Sequence, residues 1–137
     1  MSLTEEERLA IVLYRIEKAQ KALEEIHKVL PLEVWSIIAN RMYYALYYAA
    51  SALLISDAHQ VSTHKGVISL LNQYYVRTGL LSKEDGNLFG FIFAFRKGCD
   101  YDDFIDASEI DVNRYLPQVE QLVEKIITLI NNKKQNI

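Results

Sequence analysis

Residues 42–55 have the sequence MYYALYYAASALLI, in which Ser51 is the only residue that is not hydrophobic. A helix of this composition is apolar on nearly every side and needs neighbours all around it. The run is 14 residues long, whereas a helix that crosses a bilayer needs about 20 apolar residues. It therefore predicts the buried central helix of a bundle, with approximate limits at Leu32 and Ser56.

Four other helices are predicted around this one from apolar residues at helical spacing and from start and stop signals. Their predicted limits are Glu5 to Lys28 with a Thr4–Glu7 capping box, Ser62 to Gly79 with Ser62 as N-cap, a fourth helix starting at Ser82 with Asp85, and a fifth starting between Ser108 and Asn113. Pro31 ends the first helix, and Pro117 is expected near the first turns of the fifth or at a kink in it.

The fourth helix contains two glycines, Gly86 and Gly90. Each is expected to cost about 1 kcal/mol relative to alanine, so we expect both to lie where another backbone approaches closely. The segment from Gly98 to Asp111 holds six acidic residues and no basic one. This charge run predicts a solvated connection between the fourth and fifth helices.

The composition limits the fold class. Half of the 137 residues are hydrophobic and 24% are charged, and there are only 5 glycines and 2 prolines. This is the balance of one globular domain, with too few turn residues for an all-β fold. We therefore expect an all-α protein, an up-and-down bundle of four to five helices formed by residues 1–137.

The single cysteine, Cys99, excludes an internal disulfide and is typical of a reducing cytosol. The N-terminus shows no signal-peptide pattern, so we expect a cytoplasmic protein without a membrane contact. The formal net charge of −3 argues against a generally basic nucleic-acid binder. It does not exclude a local basic groove.

No motif in the sequence predicts a metal or a cofactor. The three histidines, His27, His59 and His64, lack the spacing of a helical zinc motif. The aspartates that follow Cys99 lack the glycine and the closing glutamate of a calcium loop. There is also no glycine-rich phosphate loop, and we expect neither cofactor nor metal.

Three segments contain the candidate binding residues. In the first, Arg41 precedes tyrosines that pair at i, i+4 on two adjacent helix faces, Tyr43 with Tyr47 and Tyr44 with Tyr48. An arginine next to apolar helix faces needs a carboxylate, a phosphate or a carbonyl as partner. A purely structural arginine on a core helix is an equally good interpretation.

In the second segment, His64 and Lys65 stand in the first turn of a predicted helix, where backbone donors favour an anion. The alternative is a capped helix start with solvated side chains. In the third, Arg96 and Asp100 stand at i, i+4 and can pair if the fourth helix continues through Gly98. The alternative is that this ion pair only stabilises the end of the helix.

Together the three segments resemble the HEPN family, small helical domains named for nucleotide binding in higher eukaryotes and prokaryotes. The resemblance covers the whole chain: an Arg-aromatic-aromatic-Ala run, then Ser-x-His-Lys-Gly, then Arg-x-x-x-Asp-Tyr. It implies a bundle of four to five helices that dimerises, with the Arg96 region lining a groove at the dimer axis. It also implies action beside a minimal nucleotidyltransferase, as toxin and antitoxin or a related pair.

Many HEPN proteins are metal-independent ribonucleases that use an arginine and, after four to six intervening residues, a histidine. The corresponding positions here are Tyr101, Asp102 and Asp103, so the histidine of that motif is absent. The leading hypothesis is therefore a non-catalytic or weakly catalytic dimer that binds a nucleotide, an RNA end or a nucleotidyltransferase partner. The expected phosphate ligands are Arg41, His64, Lys65 and Arg96, with Tyr44 and Tyr101 for stacking or hydroxyl contacts and Asp100 in the same groove.

Two other functions stay open at the level of sequence. One is a metal-independent ribonuclease in which His64 replaces the missing histidine and acts with Arg96. The other is a purely structural interaction module, in which Asp100 occupies Arg96 and the groove is closed.

Overall fold

The computed structural model describes residues 3–101 and 108–135. Those residues form five α-helices and no strand, which confirms the predicted all-α bundle. The helices are α1 (Glu5–Val29), α2 (Trp35–Ser56), α3 (His64–Leu71), α4 (Lys83–Tyr101) and α5 (Glu109–Gln135). Within the described part of the chain, no helix is long and apolar enough to cross a membrane.

Helix α2 is the centre of the bundle, as its sequence predicts. It packs against each of the other four helices, and twelve of its residues are buried. Because burying one large apolar side chain contributes roughly 1.5–3 kcal/mol, this helix dominates the hydrophobic core. Ser51 is its one buried polar residue.

Cross-helix contacts establish the directions of the helices. The first helix runs antiparallel to α2, because Arg8 near its start donates to the carbonyl of Ile55 at 3.1 Å and Glu25 near its end lies 3.7 Å from Arg41. Helix α4 contacts α2 at Tyr43 and Tyr44, since the rings of Phe89 and Phe93 lie near Tyr43 and the Arg96 guanidinium reaches Tyr44. Both helices thus place an arginine against α2, Arg8 at Ile55 and Arg96 at Tyr44.

Several predicted helix ends are confirmed. The Thr4 hydroxyl accepts from the Glu7 amide at 3.1 Å, and the Glu7 carboxylate accepts from the Thr4 amide at 3.0 Å. Ser82 and Asp85 exchange the same pair of bonds at the start of α4. Ser108 caps α5 within the predicted interval.

Other boundaries differ from the prediction. The N-cap of α3 is Thr63, not Ser62, because the Thr63 hydroxyl accepts from the Gly66 amide at 2.9 Å. Helix α2 begins at Trp35, not Leu32, because Leu30–Leu32 forms one 3-10 turn. The predicted third helix is shorter than expected, because α3 ends at Leu71 and a π-helical turn at Asn72–Val76 follows it. This segment ends at Gly79, which has a φ of 85°.

The second half of the chain also corrects the prediction. A Cβ atom at Gly86 would meet the side chain of Val76 at 3.1 Å, so that glycine lies at a close approach to side chains, not to backbone. A Cβ atom at Gly90 would have no neighbour within 4 Å, so the expected close approach is wrong within the protomer. Helix α4 continues to Tyr101, so the predicted solvated connection is wrong from 98 to 101. Pro117 lies inside α5.

Candidate functional site: an arginine and a histidine on a tyrosine face

The tyrosines of α2 form the floor of the candidate site. Tyr43 and Tyr47 stack with centroids 6.0 Å apart, and the rings of Tyr44 and Tyr48 lie 5.9 Å apart. This confirms the i, i+4 pairs expected from the sequence. Tyr43 is fully buried, whereas the other three tyrosines are half-buried and form part of the surface.

Arg96 of α4 lies on two of these rings. Its guanidinium carbon is 5.3 Å from the ring centre of Tyr43 and equally 5.3 Å from that of Tyr44. Its Nη2 also donates to the Tyr44 hydroxyl at 3.4 Å. The ring faces attract the cation and hold the half-buried Arg96 side chain against the tyrosines.

His64 meets the same tyrosines from α3. As the first residue of that helix it is held in place by the Thr63 cap. Its ring stacks on Tyr47 with centroids 4.2 Å apart and planes 6° apart. Its Nδ1 lies 2.6 Å from the Tyr43 hydroxyl oxygen.

The protonation of this pair follows from burial. Burial, with the neighbouring Tyr47 and Tyr44, raises the pKa of Tyr43 far above its usual value, so its hydroxyl keeps the proton. A buried hydroxyl needs an acceptor, and Nδ1 of His64 is the one within reach. Because burial, together with the positive charge of Arg96, lowers the pKa of His64, the imidazole is neutral near pH 7. We therefore assign the imidazole proton to Nε2, which becomes a donor.

Arg41 lies at the edge of the same face. Its guanidinium carbon is 5.1 Å from the ring centre of Tyr44. Its Nη2 donates to the side-chain oxygen of Asn40 at 3.0 Å, and its Nη1 lies 3.7 Å from the Glu25 carboxylate. Of the partners that the sequence left open for Arg41, a carboxylate, a phosphate or a carbonyl, the structure shows a carboxylate, that of Glu25.

The structure brings Arg41, Tyr44, His64 and Arg96 together, and we call these four residues with Tyr43 the arginine–tyrosine site. Lys65 follows His64 in the first turn of α3 and is exposed. Asp100 and Tyr101 are the last two residues of α4, but their side chains are outside the described part of the structure.

Tyr43 and Tyr47 were not among the candidate site residues predicted from the sequence. Their i, i+4 spacing indicated a ring pair, but only the position of α3 shows that His64 lies against both. Among residues 3–101 and 108–135, no three His, Cys, Asp or Glu side chains lie close enough together to hold a metal ion. The chemistry that the site offers is hydrogen-bond donation and positive charge beside aromatic rings.

Comparison with protein families identifies the fold. The HEPN domain family matches residues 12–132, which is nearly the whole chain. This chain belongs to the HEPN family. The match includes every residue of the arginine–tyrosine site.

Relatives of this HEPN protein come from bacteria and archaea. A UPF0332 protein of Thermotoga maritima is 32% identical over 94% of this chain and 98% of its own length. A UPF0332 protein of Archaeoglobus fulgidus is 27% identical, over 88% of this chain and 95% of its own. A Methanocaldococcus jannaschii protein named "Putative toxin" is 26% identical, over 88% of this chain and 77% of its own. The chain is thus similar to two UPF0332 proteins and to one protein whose name describes it as a toxin.

Proposed function

We propose that this HEPN protein is a cytoplasmic homodimer that binds the phosphate of a nucleotide or of an RNA end at the arginine–tyrosine site. The observation that carries the proposal is the position of Arg96 on α4 and His64 on α3. Both side chains contact the same two tyrosines, Tyr43 and Tyr44. A guanidinium supplies charge-assisted donors to phosphate. The Nε2 proton of His64 adds a neutral donor, and the Tyr44 hydroxyl, which accepts from Arg96, adds a hydroxyl contact.

The same geometry favours binding over catalysis. A general base at His64 needs an unprotonated nitrogen facing the ligand, and Nδ1 already accepts from Tyr43. The positions where family ribonucleases carry a histidine are Tyr101, Asp102 and Asp103. Since a well-placed acid or base contributes typically 10²- to 10⁴-fold, its loss leaves affinity without fast proton transfer.

The toxin-related names of two relatives support a role in a toxin–antitoxin-type pair. The partner that we propose is a minimal nucleotidyltransferase, which the family resemblance implies. A nucleotide-binding HEPN dimer and such an enzyme would bind the same nucleotide ligand.

The second candidate function is a metal-independent ribonuclease that uses Arg96 and His64. The observation in its favour is that both side chains contact Tyr43 and Tyr44, so a single phosphate could reach both. This function requires the His64 imidazole to change tautomer or to release Tyr43 in the complex with RNA.

Binding and cleavage assays distinguish the two functions. We expect calorimetry to show that the wild type binds AMP and that Arg96→Ala weakens binding by about 10- to 100-fold, the equivalent of one or two charge-assisted hydrogen bonds. Arg77→Ala, which removes an exposed arginine outside the site, should bind like the wild type. In the same buffer with EDTA, labelled RNA should stay intact.

Two outcomes would contradict this proposal. If the wild type bound neither AMP nor a 5′-phosphorylated RNA end, the site would not be a phosphate site. If RNA were cut in EDTA by the wild type but not by Arg96→Ala or His64→Ala, the ribonuclease would be the correct function.

The proposed dimer uses the outer face of α4. Phe91 is 43% exposed there, Ala94 is exposed one turn further on, and Gly90 beside Phe91 leaves open space where a side chain would lie. A helix-interior glycine costs about 1 kcal/mol relative to alanine. The close approach of a second copy of α4 would account for that cost.

Light scattering tests the dimer. We expect twice the protomer mass of 15.8 kDa for the wild type at micromolar concentration and a monomer for Ala94→Arg, whose side chain would not fit a close helix contact. Ala10→Arg places the same change on an exposed position of α1 and should stay dimeric. A wild-type mass of one protomer would disprove the dimer.

A further inference from the structure

A third arginine contacts the tyrosines of α2 from outside the arginine–tyrosine site. Arg15 of α1 is half-buried, and its Nη1 donates to the hydroxyl of Ser51 at 3.2 Å. Its guanidinium carbon lies 6.0 Å from the ring centre of Tyr47, and a cation is attracted to an aromatic ring within about 6 Å of the ring centre. Among the described residues no carboxylate lies within 4.0 Å of Arg15. An ion pair therefore does not explain why this arginine points at α2.

Ser51 fixes the direction of this guanidinium. It is the only buried polar residue in the described part of the chain, and it lies one helical turn after Tyr47, on the same side of α2. Its hydroxyl donates to the carbonyl of Tyr48 at 3.1 Å and accepts from Arg15. A hydroxyl buried in an apolar helix has a cost unless it is hydrogen-bonded. Because this hydroxyl is used both as donor and as acceptor, it is a fixed anchor for Arg15.

Tyr47 connects Arg15 to the arginine–tyrosine site. The imidazole of His64 stacks on the Tyr47 ring with centroids 4.2 Å apart and planes 6° apart. The ring centres of Tyr43 and Tyr44 are farther from that of His64, at 5.7 Å and 5.9 Å. The plane of the imidazole is therefore set mainly by the plane of Tyr47.

The Tyr47 ring has neighbours on two other helices as well as on its own. Within α2 its aromatic neighbours are Tyr43, Tyr44 and Tyr48, whose ring centres lie between 5.7 and 6.2 Å away. These rings belong to the same helix as Tyr47. Arg15, in contrast, reaches the ring from α1, and His64 stacks on it from α3.

We propose that Arg15 is a positioning residue for His64, which acts through the ring of Tyr47 and is itself held by Ser51. Arg15 keeps the Tyr47 ring in the plane on which the imidazole stacks. The imidazole then holds its Nδ1 at the Tyr43 hydroxyl and presents its Nε2 to a ligand. The consequence for the ligand rests on the proposed function, and Arg15 does not contact the ligand in this arrangement.

NMR of the His64 ring tests the positioning role without a ligand. Protons of a ring that is stacked on an aromatic face resonate upfield, so a looser stack on Tyr47 moves the His64 ring signals downfield. We expect this downfield shift in Arg15→Ala. The titration midpoint of His64 should also rise towards 6.5, because burial is the main cause of its lowered pKa. Arg15→Lys keeps a cation beside the ring and should restore part of both effects.

Arg8→Ala is the matched control. Arg8 also lies on α1, is half-buried and donates to α2, in its case to the carbonyl of Ile55 at 3.1 Å. Each of the two variants removes one arginine contact between α1 and α2, so a merely structural role would affect His64 in both or in neither. Only Arg15→Ala should move the His64 signals.

Variants of Tyr47 test the route between Arg15 and His64. Tyr47→Phe keeps the ring and should leave the His64 signals at their wild-type positions. Tyr47→Leu removes the ring and should shift these signals at least as far as Arg15→Ala does. Adding Arg15→Ala to Tyr47→Leu should change nothing further, because two residues that act through one contact are not additive. Circular dichroism melting of each variant checks that the bundle is folded.

The affinity for AMP measures the consequence for binding. Arg15→Ala misplaces one neutral donor, the Nε2 proton of His64, and leaves the charged contact of Arg96 in place. We therefore expect AMP to bind about two- to fivefold more weakly, well short of the loss expected for Arg96→Ala. Arg8→Ala should bind AMP like the wild type.

The failures of this proposal and of the proposed function are distinguishable. Wild-type His64 signals in Arg15→Ala, or an equal shift in Arg8→Ala, would overturn the positioning role whatever happens to AMP. A loss of AMP affinity as large as that of Arg96→Ala, with unmoved His64 signals, would make Arg15 a direct ligand contact. If the His64 signals shift as expected but the wild type binds no AMP, the positioning role is supported and the proposed function is wrong.

Discussion

Two buried tyrosines in this bundle each have a cation over the ring but have different partners at the hydroxyl. Arg96 lies 5.3 Å from the ring centre of Tyr43, and Lys133 lies 5.4 Å from that of Tyr75. The hydroxyl of Tyr43 meets the neutral imidazole of His64. The hydroxyl of Tyr75 donates to the carboxylate of Asp57 and to the carbonyl of Leu53 at 3.2 Å.

The acceptor at the hydroxyl decides what each region can do. Asp57 also pairs with Lys133, so the cluster around Tyr75 neutralises its own charge and ties the end of α2 to the π-helical turn and to α5. Burial raises the pKa of Tyr75 far above its usual value, and the neighbouring carboxylate adds to the effect. His64 brings no negative charge to Tyr43, so the hydroxyl there has a neutral partner beside the arginines. One region stabilises the fold, and the other is the region for which we propose ligand binding.

The largest effect on stability is expected at the cluster of Tyr75, Asp57 and Lys133. Tyr75→Phe removes a hydroxyl that donates to a charged carboxylate and to a buried carbonyl, and such a loss is worth about 2 kcal/mol of unfolding free energy. Urea unfolding at one fixed protein concentration measures it. Affinity for AMP should stay at the wild-type value, and a change of stability below about 0.5 kcal/mol would show that Asp57 and Lys133 hold this region without Tyr75.

The same substitution, tyrosine to phenylalanine, at Tyr43 sharpens the comparison. Tyr43→Phe keeps the ring under Arg96 and removes a neutral hydrogen bond to His64, so we expect a loss of about 1 kcal/mol, half of that at Tyr75. Unlike Tyr75→Phe, it should also weaken AMP binding, because His64 loses the bond that orients its ring. Equal losses of stability and no change of affinity would mean that the two tyrosines serve the same structural purpose.

The smallest effect concerns pH. Burial and the charge of Arg96 lower the pKa of His64 below its usual value of 6.5, so the unfolded chain takes up a proton first as the pH falls. His64 therefore contributes its full stability above about pH 6.5, and this contribution is lost as the pH falls through the lower pKa of the folded state. Between about pH 7 and pH 5 the unfolding free energy of His64→Gln should fall less than that of the wild type.

An NMR titration of the His64 ring tests the cause directly. The midpoint in the wild type should lie below 6.5, and it should rise when a nucleotide phosphate is bound next to it. A midpoint at or above 6.5 in the free protein would contradict the assignment of a neutral imidazole bonded to Tyr43.

The helices were predictable because their signals are local. The capping box of Thr4 and Glu7 and the Ser82–Asp85 pair act within one turn, so about four residues of sequence are enough to define them. The choice of Thr63 over Ser62 as N-cap was not predictable, since two adjacent hydroxyl residues offer the same local chemistry. The course of the chain into α3 decides which of the two meets the Gly66 amide.

The candidate site was predictable only in part. Arg41, Tyr44, His64 and Arg96 were identified as separate motifs in the sequence, and the geometry adds which of them touch. Arg15 was missed because a lone arginine on an amphipathic helix is typical of a solvated face. Its contacts to Ser51 and Tyr47 are long-range and have no local signature.

The sequence by itself determined that this chain is an all-α bundle around residues 42–55, because hydrophobic periodicity and helix caps are properties of neighbouring residues. The three motifs, in their order along the chain, also indicated the HEPN family. Only the tertiary structure decided that the Tyr43 hydroxyl faces His64 and that three arginines from α1, α2 and α4 share one tyrosine face. The contact of Arg96 with Tyr44 alone joins residues 52 positions apart in the chain. Such contacts depend on how the helices pack against α2, which no local pattern specifies.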